Sequence, residues 1–353
     1  MTRQAYLLLC LPFAVAALAG LDSPRAAWHG ARAEPAASCT PPVLGGGVGE
    51  GLNDPMQFPP TVGELRTVML FADFADFRGT DDPRMVYEEF VPRAVEWYRN
   101  VSYGRLQLVV TPLFRWLTLR GTVADYAAPG GRFGLARAAV EEAVAAADDE
   151  VDFSRVRALY LVLPYELVGT FGPIGALILT EPLRVDGAEI RIRTVLFARS
   201  VLGEAPYYLV HETGHMLGLP HVSGAWDVMA SPLHPRGLFA WHRWKLGWLD
   251  RAQIACFADE RRVEARLTPL ERAGGMKAII LRRGRYAYVA EVREPVAGRG
   301  GGVCKGGVLI YEVEFGGPRG WPGIRLRPAR VETREQRERC GQNAEAPFGR
   351  GRG

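Results

Sequence analysis

Five of the six histidines lie between His211 and His242, and three of them stand in the run His211-Glu212-Thr213-Gly214-His215-Met216-Leu217-Gly218-Leu219-Pro220-His221. On a helix, residues four apart share a face, so His211 and His215 can offer imidazole nitrogens to one zinc ion while Glu212 projects beside the open position. Gly218 can adopt a backbone conformation closed to other residues, which lets the helix stop and the chain swing back until His221 arrives as a third ligand. Three protein ligands leave the fourth place for water, whose pKa zinc lowers toward about 7. Glu212 can take the proton as that water attacks a carbonyl and pass it to the leaving amine, so the chemistry expected is hydrolysis of a peptide bond. A chance HExxH is expected only about 0.007 times in a chain of this composition, and the added Gly218 and His221 make coincidence far rarer.

Other residues around this run have weaker claims. Met229, eight residues beyond His221, could form the apolar floor of the site, as the Met-turn of metzincins does after the same helix. Asp227 could orient one of the histidines or replace His221 as a ligand. His234, in the following loop, could polarise a substrate carbonyl or the oxyanion, against the plainer reading of a surface histidine. His242 follows Trp241 in an aromatic stretch and reads as a core or interface histidine.

These residues need a scaffold, and the pattern is mixed α/β. The run Thr67 to Phe71 reads as a buried strand, and Met85 to Asn100 has helical spacing despite Pro92. Leu106 to Val110 and Phe114 to Leu119 read as two strands around a turn at Pro112. Gly134 to Asp149 is an Ala-rich helix, Ala158 to Leu163 a central strand, and Ile190 to Phe197 a half-exposed strand with basic residues alternating. The helix bearing the histidines should begin near Pro206, where proline suits a first turn. Beyond Cys256 short strands broken by Gly and Pro, at Lys277 to Leu281, Tyr286 to Val292 and Val308 to Phe315, imply a separate β-rich module. The expected organisation is a catalytic domain over residues 63–250, a β-rich module over 251–330 and a polar tail over 331–353.

The N-terminus reads as an export signal: Arg3, an apolar run from Ala5 to Ala19 and an Ala17-Leu18-Ala19 triplet, with a second small-residue site at Ala31-Arg32-Ala33. Residues 34–62, rich in Pro, Gly and Ala without a hydrophobic period, read as a linker or short pro-segment, with order beginning near Leu65. Loss of the signal removes Cys10 and leaves Cys39, Cys256, Cys304 and Cys340, an even number that reads as two disulfides in any of three pairings in an oxidising, extracellular or periplasmic compartment. A sharper alternative makes Cys39 a pro-segment thiolate that caps the metal. A net charge of +4 over 353 residues, with only Lys245, Lys277 and Lys305 as lysines, argues against nucleic acid as a partner. The expected partners are protein or peptide substrates, with no lasting membrane insertion once the signal is cleaved and a monomeric chain.

The stretch from Tyr207 to Leu249 resembles the M6-type (immune inhibitor A-like) secreted zinc metallopeptidases. The matching features are HExxHxxGLP, Trp226 to Met229, and the closing Ala240 to Leu249; Trp97-Tyr98, Val101 to Leu106, Tyr126 and Val151 to Ser154 look like the lead-in of the same domain. The resemblance implies a zincin-like α+β fold with a mixed sheet packed on the active-site helix, one catalytic zinc on His211 and His215, and Glu212 as acid/base. Many relatives carry an acidic residue after Gly-Leu-Pro where this chain has His221. Calcium is common among secreted relatives, but the acidic cluster Asp73, Asp76, Asp81 and Asp82 lacks EF-hand spacing and reads as a solvated loop. Two other readings use the same residues: an exported zinc-binding module without turnover, against which intact Glu212 speaks, and a zinc hydrolase of non-peptide esters or amides.

Overall fold

The computed structural model describes residues 5–10, 39–43, 48–127, 134–172, 176–200, 205–223, 226–230, 237–258, 262–297, 303–304, 307–315 and 323–327. His234, Cys340 and the polar tail lie outside them, as does most of the signal segment. Within that segment β1 (Ala5–Cys10) runs antiparallel to β8 (Arg262–Leu267).

Two five-stranded mixed sheets carry the structure. The first joins β2 (Gly63–Asp73), β3 (Leu106–Thr118), β4 (Ala158–Leu163), β5 (Ala176–Val185) and β6 (Ala188–Phe197) in the order β3-β2-β4-β6-β5. All neighbours are parallel except the edge strand β5, which is antiparallel to β6. Parallel neighbours need crossovers, and helices supply them: α1 (Pro83–Val101) links β2 to β3, and α2 (Val123–Tyr126) and α3 (Arg137–Ala147) lie between β3 and β4. A short α4 (Val168–Phe171) follows β4, and α5 (Ala205–Met216) follows β6. Side chains alternate across the sheet: Met69, Phe71, Tyr160 and Val162 join α1 and α5 in one core, and Leu70, Ala72, Leu159 and Leu161 join α3 in another.

The second sheet, β14 (Ile324–Leu326), β13 (Gly307–Glu314), β10 (Tyr286–Arg293), β9 (Ala278–Arg283) and β7 (Ile254–Ala258) in that order, is antiparallel apart from the β9–β7 pair. α6 (Ala240–Lys245) precedes it, and β11 (Val296–Ala297) and β12 (Val303–Cys304) form a small ribbon beside it. Among the described residues no helix is long and apolar enough to cross a membrane.

Several sequence expectations need correction. Pro112 makes no turn between two strands; β3 runs through it, because an edge strand tolerates a missing amide donor and the register shift between Met69 and Phe71 absorbs the irregularity. Strand β6 is interior rather than half-exposed, with Arg193 buried and donating to Leu135 O at 2.9 Å. The boundary near residue 250 does not interrupt the core, since Trp241, Trp248, Ile254, Ile280 and Val313 share one cluster with Met69 and Leu209. Order does not wait for Leu65 either. Cys39 is disulfide-bonded to Cys256, so it is no thiolate cap on a metal; Phe58 is buried, and Thr61 Oγ1 donates to Leu246 O at 2.8 Å. The segment without hydrophobic period, expected as a linker or short pro-segment, is held by a covalent link and by single polar contacts.

Candidate metal centre

The helix α5 is fixed before any ligand is considered. Pro206 sits in its first turn, as expected, and Leu209, Val210 and Met216 are buried against the sheet. Tyr98, on α1, donates from its hydroxyl to Val210 O at 2.6 Å. Tyr160, on β4, donates to Thr213 Oγ1 at 2.7 Å, and that hydroxyl donates back to Leu209 O at 2.7 Å. Helix rotation is therefore pinned at residues bracketing His211 and Glu212.

The helix ends in a Schellman turn: Gly218 N donates to His215 O at 2.9 Å, Leu219 N donates to Gly214 O at 2.9 Å, and Gly218 sits at φ +81°. The chain then turns back and brings His221 to the pair on the helix. His211 Nε2 and His215 Nε2 each lie 3.2 Å from His221 Nε2. His211 Nδ1 donates to Val228 O and His215 Nδ1 to Leu219 O, both at 2.8 Å. A carbonyl only accepts, so these Nδ1 atoms hold the ring protons and both Nε2 lone pairs point inward. Burial lowers the His211 pKa to about 4 and that of His215 to about 3, and it lowers His221 too, so the rings are neutral near pH 7. One proton on His221 cannot satisfy two inward lone pairs at once; a shared cation can. Zinc–nitrogen bonds of about 2.0–2.1 Å at the tetrahedral angle space the nitrogens by ~3.3 Å, which the observed contacts match.

Glu212 is buried beside this cluster. Its Oε2 accepts from Ala176 N at 3.0 Å, and burial, opposed by that amide, raises its pKa to about 7. Ala176 opens the edge strand β5, so the carboxylate faces the one strand of its sheet that runs antiparallel to its neighbour.

Met229 is fully buried and packs against α5 at Gly214. A Cβ placed on Gly214 would meet its sulfur at 2.4 Å, so only glycine between the two helix histidines lets the methionine lie flush. Asp227 does not replace His221. It is fully buried, with Oδ1 accepting from Met229 N at 2.8 Å and Oδ2 from Phe239 N at 2.7 Å and from His242 Nδ1 at 2.7 Å. With both oxygens committed, it shapes the turn whose Val228 carbonyl holds His211, and it orients a ligand only through that carbonyl. The acidic cluster is spent similarly: Asp73 accepts from Gly79 N, Asp76 from Val123 N, Asp81 pairs Arg199, and Asp82 caps α1. Among the described residues only the three histidines form a group suited to a metal.

Glu50, Asn53, Lys245 and the tyrosines Tyr98 and Tyr160 were not visible as site residues in the sequence. Two carboxylates, Asp227 and Glu50, flank the buried His242, with Glu50 Oε2 in ionic contact with Nε2 at 3.3 Å. Burial alone would lower its pKa, but the two carboxylates outweigh burial and raise it to about 9. A raised folded-state pKa gives stability that is complete below the unfolded value of 6.5 and lost as pH climbs through about 9. Glu212, raised to about 7, is only half ionised there, and the rest of its titration lowers stability with pH as His242 does, whereas Lys245 and Lys277, each lowered to about 8 chiefly by burial, oppose the fall increasingly as pH approaches 8. We therefore expect the melting temperature of chelator-treated protein to fall between pH 7 and 8, with His242 contributing no more than about 1.4 kcal/mol per pH unit. The His242→Gln variant should lose that contribution, and a slope equal to wild type in the variant would refute the assignment.

No protein-family model matches the chain, and no curated protein matches it.

Proposed function

We propose that this protein is a secreted zinc-dependent endopeptidase with a zincin-type catalytic unit, of the M6 (immune inhibitor A-like) kind that its motifs resemble. The observation that carries the reading is the approach of His211 Nε2 and His215 Nε2 to His221 Nε2 at 3.2 Å each, with the first two rings fixed through Nδ1. When bound there, zinc supplies a Lewis acid and lowers the pKa of a water molecule. His211, His215 and His221 would hold the ion, and Met229, packed against Gly214, would supply an apolar floor. Glu212 contributes the proton carrier: with Oε2 held by Ala176 N, its other oxygen takes a proton during attack on the carbonyl and gives it to the departing nitrogen. The edge position of β5 favours a peptide over a small ester, because an extended substrate backbone can pair along such an edge.

The test is cleavage of a mixed protein substrate by the purified full chain, read by mass spectrometry, with and without chelator. Cleavage that chelator abolishes and zinc restores is the expected result and reports site preference. No cleavage by the zinc-loaded chain would favour a silent binding module, or, if small esters are turned over, a non-peptide hydrolase.

A further inference from the structure

The third ligand differs from the other two. His211 and His215 are on a helix held by tyrosines, and their Nδ1 atoms are bound to carbonyls. His221 is exposed, and among the described residues its Nδ1 has no protein partner. Its position is inherited from the three residues before it, Gly218, Leu219 and Pro220, and so from whatever holds the end of α5.

A helix end leaves its last carbonyls without intrahelical donors. Here those donors come from outside the helix. Asn53 Nδ2 donates to Leu217 O at 2.6 Å, and the buried Lys245 Nζ donates to Gly218 O at 2.5 Å and also to Gly49 O. The N-terminal segment passes directly behind the turn: a Cβ on Gly218 would lie 2.3 Å from Asn53 Oδ1. That segment is anchored at several points. Glu50 O accepts from Trp241 Nε1 at 3.2 Å, the Glu50 carboxylate meets His242, Leu52 N donates to Pro42 O at 3.1 Å, and Cys39 is bonded to Cys256. Donors on two chain segments distant in sequence thus meet at consecutive carbonyls of one turn.

We propose that Asn53 and Lys245 are positioning residues of the metal centre. Holding Leu217 O and Gly218 O, they set where the chain leaves α5 and therefore where His221 arrives, and residues 49–53 are a permanent part of the working protein rather than a pro-segment to be removed. The inference rests on the metal-centre reading above. It predicts that loss of either donor weakens metal binding chiefly through His221, the residue this turn delivers, while α5 and the His211 contact with Val228 O, both outside the turn, remain in place.

The test uses the full chain and zinc and cobalt(II) as probes. Asn53→Asp keeps the side-chain shape and removes the donor; Lys245→Met removes the ammonium group. Each variant should bind zinc ten- to hundred-fold more weakly than wild type, the span typical of groups that orient a ligand. The visible absorption of bound cobalt(II) should weaken as tetrahedral coordination is lost. Combined with His221→Ala, neither should weaken zinc binding beyond His221→Ala alone, because their effect passes through that residue. Should Lys245→Met fail to fold, the half-buried Asn53 decides the matter alone. Variants with wild-type affinity and cobalt spectrum, or losses that add to that of His221→Ala, would overturn the positioning role while leaving the metal centre intact. A wild-type chain that takes up no zinc would overturn the metal-centre reading itself.

Discussion

Glu212→Ala should keep one zinc per chain and a native fold, yet lose roughly three to four orders of magnitude in kcat/KM for peptide cleavage, the contribution of a positioned acid/base. The reason is its separation of roles. Glu212 is no member of the three-nitrogen cluster, so removing it takes away no ligand. Its one described bond is to Ala176 N at 3.0 Å, which leaves that amide without its acceptor but does not touch the tyrosine contacts that hold α5. Glu212→Gln is the sharper variant, because its amide oxygen can still accept from Ala176 while carrying no proton at working pH. Both variants should therefore bind zinc like wild type and turn over far more slowly. Metal content by elemental analysis, beside cleavage rates, checks the pair of statements, and activity within tenfold of wild type would end the assignment of Glu212 as proton carrier.

The second large effect concerns the metal itself. His215→Ala should lower zinc affinity by more than about a hundred-fold, beyond what groups that merely support a ligand contribute, and abolish activity at ordinary zinc concentrations. Two losses coincide there: the Nε2 that faces His221 at 3.2 Å, and the Nδ1 contact with Leu219 O that ties helix to returning chain. Equilibrium dialysis against buffered zinc measures it. Stoichiometric zinc retained by the variant under conditions that saturate wild type would show that the three nitrogens do not act as one site.

How much of this could be read from the sequence depended on how far apart the cooperating residues lie. The three histidines and Glu212 fall within eleven consecutive residues, and helix geometry together with the Gly218 turn converts that spacing into convergence. The close approach of Met229 to α5, which the missing side chain of Gly214 permits, needed coordinates. For Asp227 the sequence leaves open both orienting a histidine and serving as a ligand, because it does not show that Met229 N, Phe239 N and His242 occupy its oxygens. Glu50 and Asn53 were hidden by their surroundings. From a Pro- and Gly-rich stretch, Asn53 meets one carbonyl and Glu50 one imidazole and one indole, and isolated contacts leave no periodicity. Strand β3 was broken in two at Pro112 since the edge position that excuses a proline is a property of the sheet.

The bond between Cys39 and Cys256 spans 217 residues. A ribosome delivers the chain from its N-terminus, so Cys39 and the residues behind α5 are made first but must wait for their partners. Lys245 and Cys256 emerge only after the histidines themselves. A nascent chain long enough to contain all three clustered histidines still lacks Lys245 and Cys256, which hold the turn before the third and the segment behind it. Assembly of the histidine cluster is thereby tied to synthesis beyond its own residues, as far as Lys245 and Cys256, and the order is set by chain connectivity.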